Sequence, residues 1–133
     1  MMAIRFVSLL SLALLAGCGT SPASRFYVLQ STARPGDAGA PAPLAVLVGP
    51  VAIPGSVDRP QLVVQLAPNR VEVDEFHRWA APLDDAIART VAGDLSALLG
   101  TPDVATAPMA DFRPAFRVTI DVQRFESAPG ESA

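Results

Sequence analysis

The sequence of 133 residues contains one cysteine, one histidine, one tryptophan, one tyrosine and no lysine. A single thiol excludes an internal disulfide, and a single histidine would leave a zinc ion mainly carboxylate ligands, an unusual set. The net charge of −3 disfavours nucleic-acid binding, and no RNP, zinc-finger or helix-turn-helix pattern is present. We therefore predict no metal, no other cofactor and no nucleic-acid partner.

The N-terminus is typical of a secreted bacterial lipoprotein. After the short basic start at Met1–Arg5, residues 6–16 carry no charge, which is the length of a signal-peptide core and too short to span a bilayer. The motif LLAGCGT then places Ala16 and Gly17 directly before Cys18, as in a lipobox. A thiol there can accept a diacylglyceryl group as a thioether, and small preceding side chains fit the processing peptidase. The alternative is a buried free cysteine.

These features predict how the chain is divided and where it is located. Residues 1–17 form the signal peptide, Cys18 is lipidated and becomes the first mature residue, and residues 18–24 form a tether. Because Gly19 rather than aspartate follows the cysteine, we expect attachment to the outer membrane, on its periplasmic face.

The remaining pattern predicts a mixed α+β fold in which a mostly antiparallel sheet packs against an amphipathic helix. Strands alternate with Gly- and Pro-rich turns, and the apolar run 44–53 must bend at Gly49 and Pro50, because proline lacks a ladder donor. Residues 31–43 carry no apolar side chain larger than alanine and predict a mobile loop. The predicted strands are 25–30, 44–53, 61–66, 70–76, 104–107 and 116–125, with a turn at 54–60 and a hairpin turn at Pro68 and Asn69.

The strongest periodic signal is a helix at residues 82–99. Pro82 suits the first helical position, Asp84 and Asp85 complement the helix dipole, and Gly100 ends the helix. We expect Asp85 to pair with Arg89 one turn later. The apolar residues recur at helical spacing and predict one buried face made of Leu83, Ile87, Val91, Leu95 and Leu98.

The C-terminal part predicts a half-buried strand with Phe116, Val118, Ile120 and Val122 directed inward. The following SAPGES, residues 127–132, is typical of a hairpin turn, but no return strand follows before Ala133. We therefore expect the domain, residues 25–133, to be incomplete at its C-terminus.

The segment FHRWAAPLDD, residues 76–85, contains the main candidates for catalytic or binding residues. His77 could act as a base, but no G-x-S-x-G motif supplies a nucleophile, so a solvent-facing position at a strand end is the simpler interpretation. Adjacent helical aspartates point about 100° apart and do not form an acid–base dyad. Trp79 either anchors the strand-to-helix corner or, beside Phe76, contacts a partner.

Several segments in order resemble the PqiC-type family of ABC-transport auxiliary lipoproteins. They are the lipobox, FYVL, VGPVAIPGSVDRPQLVVQ, RVEVDEFHRWAAPLDDAIARTVAGDLSALLG and FRVTIDVQRFESAPG. The most specific pieces are the D-R-P-Q segment at Asp58, Arg59 and Pro60 and the W-A-x-P-L junction at Trp79, Pro82 and Leu83.

The resemblance implies an accessory, non-enzymatic role in intermembrane lipid transport that supports outer-membrane integrity. The implied partners are a periplasmic MCE-domain protein and an inner-membrane transport component, and a homo-oligomeric ring is compatible with this role. Cys18 would be the anchor, and Asp58, Arg59, Pro60, Phe76 and Trp79 are the candidate partner contacts. The alternative hypothesis is a periplasmic lipoprotein hydrolase that uses His77 and the nearby acids.

Overall fold

The computed structural model of the chain describes residues 21–34 and 43–127. The predicted signal peptide at residues 1–17, Cys18 and residues 128–132 of the predicted hairpin turn lie outside this range, so the predictions made for them stay predictions. The elements are β1 (Arg25–Tyr27), β2 (Val46–Ala52), β3 (Gln61–Ala67), β4 (Arg70–Trp79), α1 (Leu83–Leu99), β5 (Val104–Ala105) and β6 (Phe116–Asp121).

The described strands form two three-stranded sheets, ordered β1-β4-β3 and β5-β2-β6. The mixed α+β class is confirmed, but most strand pairs run parallel: β1 with β4, β2 with β5 and β2 with β6, whereas β3 with β4 is antiparallel. The reason is connectivity. Only β3 and β4 are joined by a tight turn, and the other pairs are reached through long crossovers, which permit parallel pairing.

The β3–β4 hairpin is confirmed, and its strand pairing is irregular at the open end, away from the turn. Gln61 pairs with Arg78, but the next residue, Leu62, pairs with Asp74, so three extra residues of β4 bulge out. The Asp74 carboxylate stabilises this bulge, because its Oδ1 atom accepts hydrogen bonds from the backbone N–H groups of Phe76 (2.9 Å) and His77 (3.0 Å).

The bend predicted in the long apolar strand is also confirmed. The register of β2 against β6 shifts between Val48 and Val51, around Gly49 and Pro50. Gly49 has φ 119°, a conformation that is rarely open to residues with a Cβ atom. The bulge lets proline occupy a strand that has neighbours on both sides.

The helix α1 ends as predicted. Gly100 adopts the left-handed conformation (φ 61°), and its N–H group donates to the Ser96 carbonyl. Pro82 precedes the first helical residue, and Asp85 pairs with Arg89 at 3.9 Å.

The buried face of α1 is rotated from the predicted one. Leu98 is exposed, and the residues nearest to β2 are small: Ala88 and Ala92 are buried, and Val91, Leu95 and Leu99 pack around them. Alanines allow the helix to approach the sheet closely, so they take the centre of the contact. The core cluster consists of Val46, Val48 and Ala92, and Val48 is 0 % exposed.

The start of the predicted mobile loop is fixed to α1. The Asp94 Oδ1 atom accepts hydrogen bonds from the Ser31 hydroxyl (2.5 Å) and from the N–H groups of Thr32 and Ala33 (both 2.9 Å). A Cβ atom at Gly93 would lie 3.2 Å from the Ser31 Cβ atom, so glycine permits this approach. Residues 31–33 are therefore held, whereas residues 35–42 lie outside the described range.

The chain crosses from one sheet to the other after β6. Val118 and Ile120 pack on the core as predicted, whereas Phe116 is 57 % exposed. β6 ends at Asp121, earlier than predicted, and Ser127 reaches the outer edge of β3, where its carbonyl accepts from Gln65 N–H at 2.9 Å. This segment therefore links the two sheets.

No helix in the part of the chain that the structure describes is long and apolar enough to cross a membrane.

We expect Asp94→Asn to lower the thermal unfolding midpoint at neutral pH. Hydrogen bonds from Ser31 and then from the backbone of Ala33 hold the pKa of the Asp94 carboxyl below its usual value. A lowered pKa in the folded state stabilises the fold above the unfolded pKa, and this contribution is lost as pH falls through the folded pKa. The difference from wild type should therefore narrow between about pH 5 and about pH 2.

The matched control is Asp111→Asn, because Asp111 is exposed and its carboxylate has no hydrogen bond within the described ranges. Circular dichroism melts across this pH range measure both variants. A difference between Asp94→Asn and wild type that stayed constant with pH would contradict the prediction.

Candidate functional site

A surface cleft of about 380 Å³ lies between the loop before β3 and the start of α1. It brings together the two sequence segments that carry the family resemblance, although some twenty residues of hairpin separate them. The lining residues are Asp58, Arg59, Pro60, Trp79, Ala80, Ala81, Pro82 and Leu83.

The loop wall of the cleft is held by backbone hydrogen bonds. Val57 N–H donates to the Pro54 carbonyl (3.0 Å), and Arg59 N–H donates to the Val57 carbonyl (2.8 Å), which closes the turn. Val57 is buried and anchors the loop to the body of the fold. Trp79 N–H then donates to the Pro60 carbonyl at 2.7 Å and joins the loop to the end of β4.

Trp79 lies at the corner where β4 leads into α1, and its position is compatible with both of the roles considered from sequence. Its indole packs edge-on against the Phe125 ring, with centroids 6.0 Å apart, so it anchors the corner. It is nevertheless only half-buried, and it lines the main cleft together with two smaller neighbouring cavities of about 200 and 210 Å³. A partner that entered the cleft would touch this side chain.

The rim of the cleft carries charges that the fold does not use. Asp58 and Arg59 are exposed, and neither side chain forms a salt bridge or hydrogen bond with any residue in the ranges 21–34 and 43–127. Asp84 and Asp85 lie in the first turn of α1, which has no side-chain cap. The cleft lining therefore offers one free cation, Arg59, and one free carboxylate, Asp58, over an apolar floor, and the acidic first turn of α1, in which Asp85 pairs with Arg89, follows directly after it.

Phe76 lies outside this cleft. It is 40 % exposed, belongs to the bulge of β4 and is not among the residues that line the cleft. The structure therefore brings four of the five proposed partner contacts together and places Phe76 apart from them.

His77 lies inside β4 rather than at its end, and it is paired. Its Nδ1 atom is 2.7 Å from the Asp74 Oδ2 atom, and its ring centroid is 5.7 Å from that of Tyr27. The hydrogen bond from His77, followed by that from Phe76 N–H, lowers the pKa of the Asp74 carboxyl. Because the same carboxylate also binds two backbone N–H groups of the bulge, the pair has a clear structural role.

The pair lacks the third member that nucleophilic catalysis requires. Within the described ranges no serine or threonine hydroxyl forms a hydrogen bond with His77. The same residues contain no cluster of three histidine, cysteine or acidic side chains that could hold a metal ion.

Sequence reasoning named the two walls of the cleft but not their contact. The missing signal was the hairpin itself: if residues 61–66 pair antiparallel with 70–76, the segments that flank them must meet. The pairing of Gln61 with Arg78 places Pro60 beside Trp79 in this way. Ala80 and Ala81 complete the floor, and their small size leaves the cleft open.

The chain is similar to known proteins in sequence and in fold. Residues 27–133 match the family described as ABC-type transport auxiliary lipoprotein component. A crystal structure of a Xanthomonas campestris protein of family DUF330 is 24% identical, with a TM-score of 0.62, and the match covers 78% of this chain and 57% of that one.

A second crystal structure, of an uncharacterised protein, is 22% identical with a TM-score of 0.60, and covers 81% of this chain and 63% of the other. At these identities the structures show the fold alone, and the chain spans less than two thirds of either relative. No curated protein matches the chain significantly.

We expect Phe125→Ala to lower the free energy of unfolding by about 1 to 2 kcal/mol, because an edge-on aromatic pair contributes roughly 0.5–1.5 kcal/mol beyond its buried area. Since Trp79 is the only tryptophan, its fluorescence reports directly on this corner, and its emission should shift to longer wavelength in the variant. Urea titration followed by tryptophan fluorescence measures both effects. Phe116→Ala is the control, since Phe116 is 57 % exposed; equal losses in the two variants would contradict the assigned packing.

Proposed function

The chain belongs to the family of ABC-type transport auxiliary lipoprotein components, and from that membership we propose that it is a lipid-anchored accessory subunit of an intermembrane lipid transport system. In this proposal the subunit faces the periplasm from the outer membrane, supports outer-membrane integrity and performs no chemistry. Its partners are a periplasmic MCE-domain protein and an inner-membrane transport component.

The observation that carries the proposal is the convergence of the D-R-P-Q and W-A-x-P-L segments on one open cleft. A half-buried tryptophan beside an unpaired arginine, with apolar walls of proline and alanine, has the composition of an interaction hot spot. The cleft, at about 380 Å³, has room for one or two side chains of a partner rather than for a whole lipid. It therefore suits the docking of a protein segment.

The anchoring half of the proposal rests on the lipobox and on the lipoprotein family. Acylation of Cys18 and of the new N-terminus would add apolar chains, each buried CH₂ contributing roughly 0.8 kcal/mol, so the attachment would be effectively permanent. A permanently anchored subunit with a free cleft can hold the outer-membrane end of a periplasm-spanning protein.

One observation favours the second candidate, a lipoprotein hydrolase: the His77–Asp74 pair has the geometry of a base and its orienting carboxylate. The absence of a hydroxyl partner for His77 in the described ranges and the use of Asp74 by the β4 bulge both favour the structural interpretation.

We expect Arg59→Glu to weaken capture of the MCE-domain partner about tenfold, a change of about 1.4 kcal/mol, because it reverses the one free cation of the rim. The measurement is crosslinking in intact cells followed by purification from membranes and identification of the captured protein. Since Arg59 has no internal partner, the unfolding midpoint should not change. Arg113→Glu, on an exposed loop away from the cleft, is the control, and capture that is equally weakened in both variants would refute the docking site.

We expect His77→Ala to leave protection against detergents unchanged in cells that lack the native gene, because docking does not need the imidazole. The unfolding midpoint of the purified variant is measured in parallel and compared with that of the wild type. This comparison distinguishes a loss of catalytic activity from a loss of folding. A variant that folds as wild type does but fails to protect the cells would favour the hydrolase.

A further inference from the structure

Strand β1 exposes an apolar face at the start of the described fold. Phe26 is 66 % exposed and Val28 is 62 % exposed, more than the other large apolar side chains of the described residues. The register pairs Phe26 with Arg78 and Tyr27 with Trp79, and because side chains alternate along a strand, Phe26 points to the face opposite Tyr27 and Trp79. The face of β1 that carries Phe26 is therefore separate from the cleft, whereas Val28, which follows β1, lines a small cavity together with Trp79.

The chain length before β1 limits where this face can lie. Arg25 lies seven positions after Cys18, and a fully extended chain of seven residues spans at most about 25 Å. This reach is shorter than the roughly 30 Å diameter of a small domain. If Cys18 is acylated, as proposed above, β1 must lie in the half of the domain that faces the membrane.

The charge of the same region complements a phospholipid surface. Residues 18–34 contain Arg25 and Arg34 and no acidic residue, whereas residues 35–133 carry seven arginines and thirteen acids. Arg25 has no salt bridge within the described ranges. Strand alternation directs Arg25 to the face of Tyr27, so the arginines act here through the net positive charge of the segment rather than through a contact beside Phe26.

From these three observations we propose that the exposed face of β1, with Phe26 at its centre, lies against the phospholipid leaflet that holds the lipid anchor. This contact fixes the orientation of the domain and keeps the opposite face, with Trp79, directed toward the periplasm. The inference rests on the proposed anchoring through Cys18.

The experiment uses the mature lipoprotein reconstituted into vesicles of phosphatidylethanolamine and phosphatidylglycerol. Because Cys18 is the only cysteine, acylation leaves Phe26→Cys with one free thiol, which is labelled with bimane. The fluorescence is quenched in one sample by lipids with a nitroxide at the headgroup and in another by iodide in solution. Phe116→Cys, at a position 57 % exposed on the other sheet, is the matched control.

We expect lipid nitroxides to quench the label at position 26 at least about threefold more than the label at position 116, and iodide to show the reverse order. Equal lipid quenching at the two positions would overturn the inference. A label at position 26 that is shielded from both quenchers would also overturn it, because a second copy or another protein would then cover the face. Flotation of the protein with the vesicles measures attachment through the lipid anchor separately. If the mature protein floats no better than the Cys18→Ala variant, the anchoring proposal fails and this inference fails with it.

Discussion

The hydrogen bond from Trp79 N–H to the Pro60 carbonyl closes the open end of the β3–β4 hairpin, and the candidate site depends on that closure. On one side of this bond the chain turns through residues 54–60, and on the other it enters α1. At 2.7 Å the bond belongs to the strong end of backbone hydrogen bonds. Without it, the loop and the helix start would form two unrelated surfaces rather than the walls of one cleft.

A second constraint acts on the other sheet, where two later strands, β5 and β6, both pair with the buried strand β2. Val46, Leu47 and Val48 are consecutive and all buried, as expected for a strand that is covered on both faces and typical of parallel pairing. The small residues Ala88 and Ala92 let α1 lie close to this strand. The helix is thus fixed by the β5-β2-β6 sheet at its middle and by the hairpin sheet at its start.

Local patterns predicted the hairpin, the turn before it, the helix limits and the bend at Gly49, because each depends on residues close together in sequence. The parallel direction of the other strand pairs was not predicted, and the inward face of α1 was predicted only in part, because both depend on distant contacts. Leu98 fits the periodicity as well as Leu99 does, and only the position of β2 decides between them. The hydrogen bonds from residues 31–33 to Asp94 could not be foreseen, since a Pro- and Gly-rich segment gives no signal for a partner about sixty positions away.

The candidate site also combines features that local sequence predicts with features that depend on distant contacts. Its residues could be named from the sequence, but their meeting required the hairpin register. Ala80 N–H also donates to the Tyr27 carbonyl at 2.9 Å. Strand β1, which follows the predicted tether, is therefore bonded at its last residue to the segment that forms the floor of the cleft. If Cys18 is acylated and a partner docks as proposed, a pull on that partner would reach the anchor through this short hydrogen-bonded unit, without passing through the core around β2. Because Phe26 and Trp79 lie on opposite faces of this unit, the proposed membrane contact and the proposed partner contact do not exclude each other.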